Sequence, residues 1–319
     1  MLWLYILIGV IVILIIGGVV AMLCITLPIA KRVYREQLVK ETPEKWLREC
    51  SAPEHEEQAY MWKTGCEWAD GKKDYMREVM IEREGLKLYG EFYQFGGNEC
   101  VIIVPGRCEC LKYSYYFAEP YEKLGMNVFV FDQRAHGKSD GEYNTIGGKE
   151  HGDLIAWIQY LEKEFSIDSV WLHTICVGTS SAMLAMVSEA CPESVKGLIT
   201  EGCFISFRET FKQHMIDINK PCFPVLDEVM WYIKRYTGTN VYKTAPGRLV
   251  TQIKQPVLFL YGEKDIFSRP EKSKIIFEKC ASLQKELVWF EKGSHSHLRQ
   301  NNLEQYDTAI AEFVNRNRK

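Results

Sequence analysis

The chain has 319 residues and a formal net charge of −3 at pH 7. This length suits one large α/β domain with additional segments, and the charge argues against a nucleic-acid-binding surface. The eleven cysteines are odd in number and are not spaced as a disulfide framework, which fits a reducing compartment.

Residues 1–30 carry no charged side chain, and the run from Leu2 to Leu27 is almost wholly apolar. At 1.5 Å per residue this run forms a helix of about 30 Å or more, which is long enough to cross a bilayer. A cleaved signal peptide is the alternative, but such peptides carry a basic segment before a shorter apolar core. We therefore predict a transmembrane anchor over residues 1–30.

Basic residues follow this anchor and none precedes it; they are Lys31, Arg32, Arg35 and Lys40. By the positive-inside rule, this distribution predicts a single-pass membrane protein whose remaining chain lies in the cytoplasm. The next segment, 31–75, is charged and aromatic with helical spacing in parts. We predict that it is a juxtamembrane helical segment packing on the domain that follows.

From residue 76 onward, short apolar runs alternate with amphipathic ones. The predicted strands are two within 79–93 around a turn at Glu84–Gly85, then 100–105, 127–132, 170–175, 195–200, 256–261 and 286–290. The predicted helices are a segment up to about Leu124, 151–165, 178–189, one near 270–280 and one near 303–316. This alternation predicts an α/β domain over 76–319, with a mostly parallel sheet covered by helices on both faces. The segment at about 205–250 is too long for a plain crossover, and we predict a small cap insertion there.

The stretch Val170–Ala182 is typical of a strand that stops and turns into a helix of small residues, with Cys176 at the stop. A side chain at this point is exposed at a helix N-terminus, where positive potential favours a thiolate. Cys176 is therefore the candidate nucleophile, although a buried cysteine at a strand end is also a common structural feature. A second register, with Gly178-Thr-Ser180-Ser-Ala182 as the turn, would make Ser180 the nucleophile instead.

An acid and a histidine follow later strands, at the edge where catalytic loops gather in open α/β sheets. Asp265 comes after the strand 256–261, and His295 comes after 286–290. An acid in this position orients a histidine and stabilises its cation, and the histidine acts as the general base. Glu263 is the alternative acid and His297 the alternative histidine.

Acyl chemistry also needs two backbone N–H groups aimed at the developing oxyanion. The candidates are Val177, directly after the nucleophile, and Arg107, in the turn after the strand 100–105. The loop Asp132–Gly137 contains acid, base and histidine side chains, but its glycine and alanine suit tight turns, so we interpret it as structural. We find no metal-ligand spacing and no phosphate-binding glycine loop, and we expect neither a metal nor a cofactor.

Several of these segments together resemble the α/β-hydrolase superfamily over roughly residues 76–316, and most of all its membrane-anchored BEM46-type and abhydrolase-domain members. The segments that match the superfamily are Pro105–Gly106, 131–141, 172–178, 201–204, 256–265 and His295. The resemblance implies an α/β-hydrolase fold with Cys176, Asp265 and His295 at the positions of the family's serine, acid and histidine. The sequence departs from the family pattern at four positions, which are Pro105, Ala135, Thr174 and Cys176.

The resemblance implies a membrane-anchored hydrolase of carboxylic esters or thioesters that uses a Cys-His-Asp triad. Its partners would be a small-molecule or lipid-like acyl substrate and the membrane. An acyltransferase on the same fold and a catalytically silent binding or scaffold protein are the alternatives. The apolar residues of the cap suggest an apolar acyl group in the pocket; they are Phe211, Met215, Phe223, Met230, Trp231 and Tyr232. The alternative is that they belong to an ordinary packing helix.

Overall fold

The computed structural model describes residues 1–46 and 56–318. The predicted segment 31–75 therefore lies partly outside the described residues, at 47–55, as does residue 319 of the predicted domain. Everything stated below refers to the described ranges.

A single eight-stranded sheet runs in the order β1-β2-β4-β3-β5-β6-β7-β8. The strands are β1 Met76–Arg83, β2 Leu86–Tyr93, β3 Glu99–Val104, β4 Asn127–Phe131, β5 Ser169–Ile175, β6 Val195–Glu201, β7 Val257–Gly262 and β8 Lys285–Phe290. Strand β2 pairs antiparallel with β1 and β4, and all the other neighbours pair parallel. The predicted mostly parallel sheet is confirmed. Strand β1 begins before the predicted start at Val79 because it pairs with β2 along its whole length, as far as Met76 opposite Tyr93.

Helices precede the first strand, lie in the connections from β3 onward and follow the last strand. They are α1 Leu2–Leu38, α2 Glu56–Asp70, α3 Leu111–Ser114, α4 Glu119–Lys123, α5 Glu150–Phe165, α6 Gly178–Met186, α7 Phe207–Asp217, α8 Val225–Thr237, α9 Pro246–Leu249, α10 Pro270–Lys279, α11 Leu298–Asn301 and α12 Leu303–Asn317. Helix α6 is shorter than the predicted 178–189, because the chain turns after it and the Cys191 N–H bonds back to the Ser188 carbonyl.

The central strands are buried on both faces, so successive side chains enter two different cores. In β3, Ile102 packs in the core that contains Trp157 of α5, while the neighbouring Ile103 packs in the core that contains Phe313 of α12. This two-sided burial is the physical reason why these strands read as continuous apolar runs. It also leaves the carboxyl-terminal edge of the sheet as the place where polar loops meet.

The connection between β6 and β7 carries the predicted cap, which consists mainly of α7 and α8. A third apolar cluster joins this cap to the C-terminal half of α1, where Ala30, Tyr34 and Leu38 are buried. The Tyr34 ring stacks on that of Tyr236 at a centroid distance of 5.4 Å. Helix α1 therefore does not end at residue 30: it continues to Leu38 and forms one wall of the cap region.

Helix α2 covers another part of the sheet domain. Its residues Met61, Trp62 and Trp68 pack in the core shared with α12. The Trp68 indole N–H also donates to Glu122 at 2.7 Å. Because α2 lies against the turns after β3 and β8, it brings polar side chains to the same edge of the sheet as the candidate site.

Candidate active site

Cys176 occupies the sharp turn between β5 and α6, and its φ is +49°. A left-handed conformation is strained for a residue other than glycine and persists only where the surrounding structure enforces it. Gly178 permits the tight turn here, since a Cβ at this position would lie 2.5 Å from the Val104 carbonyl oxygen and 2.7 Å from that of Pro105. The close approach of α6 to the end of β3 therefore requires glycine and aims the Cys176 side chain away from the sheet.

Thr174, which stands where the family has a glycine, is accommodated by a ladder of buried hydroxyl groups. Its Oγ1 lies 3.0 Å from that of Thr179, which lies 2.8 Å from that of Thr200. The β-branched side chain is thus directed beneath α6 and hydrogen-bonded there, so it does not obstruct the turn.

His295 and Asp265 form a direct pair, with 2.7 Å between Nδ1 and Oδ2. The second oxygen of Asp265 accepts the backbone N–H groups of Phe267 at 2.8 Å and Ser268 at 2.7 Å. Burial alone would raise the pKa of Asp265, but His295 and these two N–H groups outweigh it and hold the pKa below the ordinary value. Asp265 is therefore ionised and its orientation is fixed.

The other ring nitrogen of His295, Nε2, is buried and has no partner with good hydrogen-bond geometry among the described residues. Burial alone would lower the pKa of His295, but Asp265 and the nearby Cys176 sulfur outweigh it and raise the pKa well above the ordinary value. The ring is further positioned by Gly202, where a Cβ would lie 2.8 Å from the His295 Cε1 atom. The structure thus brings Cys176, His295 and Asp265 together in the predicted order.

The turn after β3 lies against this group. The backbone N–H of Gly106 donates to the Glu109 carboxylate at 2.9 Å, whereas the N–H groups of Arg107 and Val177 donate to no acceptor within the described residues. Both residues line the cavity that contains Cys176 and His295. These two N–H groups are therefore available as oxyanion donors. The Arg107 side chain is not part of that role, because it donates to the Gln37 carbonyl at the end of α1.

The loop Asp132–Gly137 supports this turn as well as bonding to itself. Gln133 Nε2 donates to the Pro105 carbonyl at 2.6 Å, and His136 Nε2 accepts the Cys108 N–H at 3.3 Å. Burial lowers the pKa of His136 to about 4, so its ring is neutral and can accept. The loop has the predicted structural role, because it supports the turn after β3.

The three alternative residues are placed elsewhere. Ser180 is fully buried inside α6, with no hydrogen bond to its hydroxyl in the described part of the chain. Glu263 is exposed. His297 accompanies His295 on the cavity wall, but its ring bonds to Ser294 and to Gln58 of α2 rather than to Asp265.

The cavity above Cys176 has a volume of about 550 Å³. Its apolar lining comes from the turn after β5, the cap and the loop after β7, namely Val177, Phe204, Phe207, Phe211, Ile266 and Phe267. Most of its polar lining comes from α1, α2 and the loops after β3 and β8, namely Gln37, Gln58, Arg107, Glu109, Ser294 and His297, and α7 adds Thr210 and His214. A molecule with one apolar and one polar part matches this division.

The prediction that six cap residues line an acyl pocket is largely wrong. Of the six, only Phe211 lines the cavity. Met215, Met230 and Tyr232 are buried in the contact between the cap and α1, and Phe223 and Trp231 are exposed. The cap residues that do face the cavity, Phe204 and Phe207 among them, lie at the start of the insertion because only this part adjoins Cys176.

Two buried carboxyl groups next to the triad were not predicted as site residues. Burial raises the pKa of Glu109, which also accepts from Gln58 Nε2 at 3.3 Å. Burial raises the pKa of Glu201 to about 7. Glu201 bonds to the N–H of Leu298 at 3.0 Å, directly after the loop that carries His295, and so positions that loop. Glu201 could have been predicted from the sequence because it lies at the carboxyl end of β6. No feature of the sequence indicated Glu109.

Glu201 is also the end of a buried chain of hydrogen bonds. The Tyr306 hydroxyl donates to its Oε2 at 2.6 Å and lies 3.1 Å from His173 Nε2. His173 Nδ1 lies 3.0 Å from the Tyr121 hydroxyl. Burial lowers the pKa of His173 to about 3, so this chain contains a neutral imidazole. The network ties β5, β6 and α12 together beneath the triad.

The described residues contain no group of three or more His, Cys, Asp and Glu side chains arranged to hold a metal ion.

Comparison with known proteins identifies the superfamily of this fold. A model of the alpha/beta hydrolase fold family matches residues 99–215. The chain belongs to the α/β-hydrolase superfamily. This α/β-hydrolase is 26% identical to protein bem46 of Schizosaccharomyces pombe over 186 residues, covering 55% of this chain and 54% of the relative. It is 25% identical over 176 residues to YNL320W of Saccharomyces cerevisiae, named an uncharacterized membrane protein, covering 55% of this chain and 57% of the relative.

The matched region is thus little more than half the length of these relatives. Among solved structures, the α/β-hydrolase is similar to the Pyrococcus furiosus esterase Pf2001, with a TM-score of 0.63 and 22% identity over 76% of this chain and 93% of that one. At this identity the similarity establishes the fold. The predicted resemblance to the superfamily and its BEM46-type members is confirmed.

Proposed function

We propose that this protein is a membrane-anchored cysteine hydrolase of carboxylic esters or thioesters. The observation that carries the proposal is the convergence of the strained Cys176 turn, the His295–Asp265 pair and two unpaired backbone N–H groups on one cavity. Each component of covalent acyl transfer has a residue in position.

The reaction begins when His295 Nε2 takes the proton of the Cys176 thiol. The sulfur attacks the acyl carbon, and the N–H groups of Val177 and Arg107 bind the resulting oxyanion. Collapse of this intermediate breaks the bond to the leaving group, which takes the proton from His295, and leaves an acyl-Cys176 thioester. Water then attacks the thioester while His295 removes its proton, and the acid and the free thiol are released. Asp265 remains ionised throughout and stabilises the imidazolium.

Thioesters are expected to react faster than oxygen esters. In the tetrahedral intermediate, the Cys176 sulfur competes with the leaving group, and an alkoxide is a far poorer leaving group than a thiolate. An oxygen ester therefore depends on protonation by His295 at the moment of collapse, whereas a thioester does not. The raised pKa of His295 supports this protonation step.

The membrane part of the proposal is supported by α1. Its apolar part has a mean hydropathy of 3.2 over an 18-residue window, and none of that window is buried against the protein. The relative YNL320W is itself named a membrane protein. The basic residues Lys31, Arg32 and Arg35 follow the apolar part, which by the positive-inside rule favours a cytoplasmic location for the hydrolase domain.

The test uses the purified full chain with matched acyl thioesters and acyl esters. We expect turnover of both, faster for the thioesters, and complete loss with Cys176→Ala but not with Cys191→Ala, another half-buried cysteine. Mass spectrometry should find the acyl group on Cys176. Turnover that survives Cys176→Ala but is lost with Ser180→Ala would disprove the assignment.

Adding an alcohol or amine acceptor distinguishes hydrolysis from transfer. A hydrolase yields the free acid as the main product at all acceptor concentrations. A dominant transfer product would identify the protein as an acyltransferase, and no turnover of any acyl compound would favour the scaffold alternative.

A further inference from the structure

Helices α1 and α8 lie side by side and run in the same direction. Near the start of α8, the Thr26 hydroxyl donates to Glu228 at 2.7 Å. Further along both helices, the ring of Tyr34 stacks on that of Tyr236. Since higher residue numbers in α1 pair with higher numbers in α8, the first turn of α8 points back towards the apolar, N-terminal end of α1.

The contact between α1 and the cap begins near residue 22 of α1. Residues 1–21 of α1 are exposed, whereas Met22 and Leu23 are half-buried. Val225, the first residue of α8, precedes Glu228 by three residues, which corresponds to about 4.5 Å of helix. The same step taken from Thr26 along α1 leads to Leu23. Val225 therefore lies near the level of Leu23, where the exposed apolar part of α1 begins, and Phe223 precedes Val225 by only two residues.

This connection is unusually apolar for an exposed segment. Phe223 is 73% exposed, and Ile216 and Ile218 are each 48% exposed. We call these three residues the cap tip. Single exposed apolar residues are normal on a protein surface, but three within eight residues form a patch that marks an interaction surface, and Phe223 of this patch lies near the level where the exposed apolar part of α1 begins.

Helix α7 connects this patch to the cavity. Phe207, Phe211 and His214 line the cavity, and the helix continues from there to Ile216 at the cap tip. Gln37, at the other end of the α1 contact, also lines the cavity. Fourteen residues separate Leu23 from Gln37, so the polar end of the cavity lies about 20 Å along α1 from the level of the cap tip.

We propose that the cap tip docks into the surface of the lipid bilayer spanned by α1, and that the cavity receives acyl-bearing amphiphiles from that bilayer. The occupant of the patch is lipid because the patch continues the exposed apolar surface of α1 at the same level. Exposed Lys220 lies within the tip, where it can contact anionic headgroups while the apolar side chains enter the acyl region. The docking rests on the membrane anchor of the proposed function, and the supply of substrate rests on its acyl chemistry as well.

Docking is tested by photo-crosslinking of the full chain in vesicles of phosphatidylcholine and phosphatidylglycerol. Benzoylphenylalanine replaces Phe223 or, as the matched control, Leu283, which is 99% exposed. Leu283 precedes β8 and therefore lies near the amino-terminal edge of the sheet, away from the cap. We expect lipid adducts at 223 and not at 283. Equal labelling of both sites, or crosslinks between two copies at 223, would overturn docking to lipid.

Supply of substrate from the membrane is tested by Phe223→Ser together with Ile218→Ser. Neither residue lines the cavity. We expect about a tenfold lower kcat/KM for a long-chain acyl thioester embedded in vesicles, from the loss of apolar contact, and an unchanged rate for a short soluble one. An equal loss for both substrates, or no loss for either, would refute supply from the membrane. If no acyl compound is turned over at all, the proposed function fails while the crosslinking result still decides docking.

Discussion

The triad loops and the cap region are built from different interactions. In the triad loops, buried polar groups are fixed by hydrogen bonds: Asp265 alone accepts bonds from His295, Phe267 and Ser268. In the cap region, apolar contacts join α8 to the N-terminal helix α1. A hydrogen bond from Thr26 to Glu228 accompanies them. Reaction geometry needs directional bonds, whereas access to the cavity needs a surface that can pack against acyl chains or lipid.

This contrast implies that changes in the triad loops alter the chemical step, whereas changes in the cap alter access. Four substitutions test whether the two regions differ in this way.

The largest effect is expected for Asp265→Asn. It removes the charge that stabilises the His295 imidazolium, and we expect kcat/KM for an acyl thioester to fall by about 10³- to 10⁴-fold. The pKa of His295, measured by NMR, should fall further in this variant than in Cys176→Ala, because Asp265 raises it more than Cys176 does. Glu263→Gln is the control and should leave both quantities unchanged. If the control is inactive and Asp265→Asn is not, the acid has been misassigned.

Gly178→Ala tests the turn on which the triad depends. The added methyl group would overlap the carbonyl oxygens of Val104 and Pro105, so we expect a loss of about 3 kcal/mol in the free energy of unfolding. A lower melting temperature and lower activity should appear together. Gly71→Ala is the matched control, since its nearest neighbouring atom would lie at an ordinary contact distance of 3.5 Å. Normal stability and activity in Gly178→Ala would contradict the account of the turn.

Glu201→Gln tests the buried network through its pH dependence. Because the pKa of Glu201 is raised from 4.5 to about 7, the folded state holds this proton more tightly than the unfolded state does. The stability of the native protein should therefore fall by about 3 kcal/mol as pH rises from 4.5 to 7, a loss that the variant does not undergo.

The measurement is the difference in melting temperature between the two proteins, from pH 5 to pH 8, and it should move in favour of the variant as pH rises. The control Glu193→Gln changes an exposed acid, and its melting temperature should differ from that of the native protein by the same amount at every pH. A constant difference for Glu201→Gln as well would mean that its carboxyl group titrates normally in the fold.

The smallest effect is expected for Thr26→Val in the cap region. It removes the hydroxyl that donates to Glu228, a buried carboxyl group whose other oxygen has no partner in the described structure. We expect the contact between α1 and the cap to weaken by about 1–3 kcal/mol. Limited proteolysis should then cut the α7–α8 connection faster, while turnover of a short soluble acyl substrate stays the same. Thr26→Ser keeps the hydroxyl and should behave as the native protein.

The sequence predicted the triad loops better than the cap. Cys176, Asp265 and His295 each follow a strand whose apolar run is visible in the sequence, and parallel strands end at a common edge of the sheet. No comparable rule predicts which residues of the cap are buried against α1 and which line the cavity. Met215 and Tyr232 have the composition expected of an acyl pocket, yet they pack in the apolar cluster shared with α1.

By itself, the sequence determined the strand order along the chain, the turn at Cys176 and the acid and histidine that follow later strands, because these features are local and repeat with the period of a strand or helix. The tertiary structure alone decided that α1 is part of the cap and that Glu109 and Glu201 adjoin the triad. The bond from Thr26 to Glu228 spans 202 residues and that from Leu298 to Glu201 spans 97, and contacts over such distances leave no periodic pattern in the sequence.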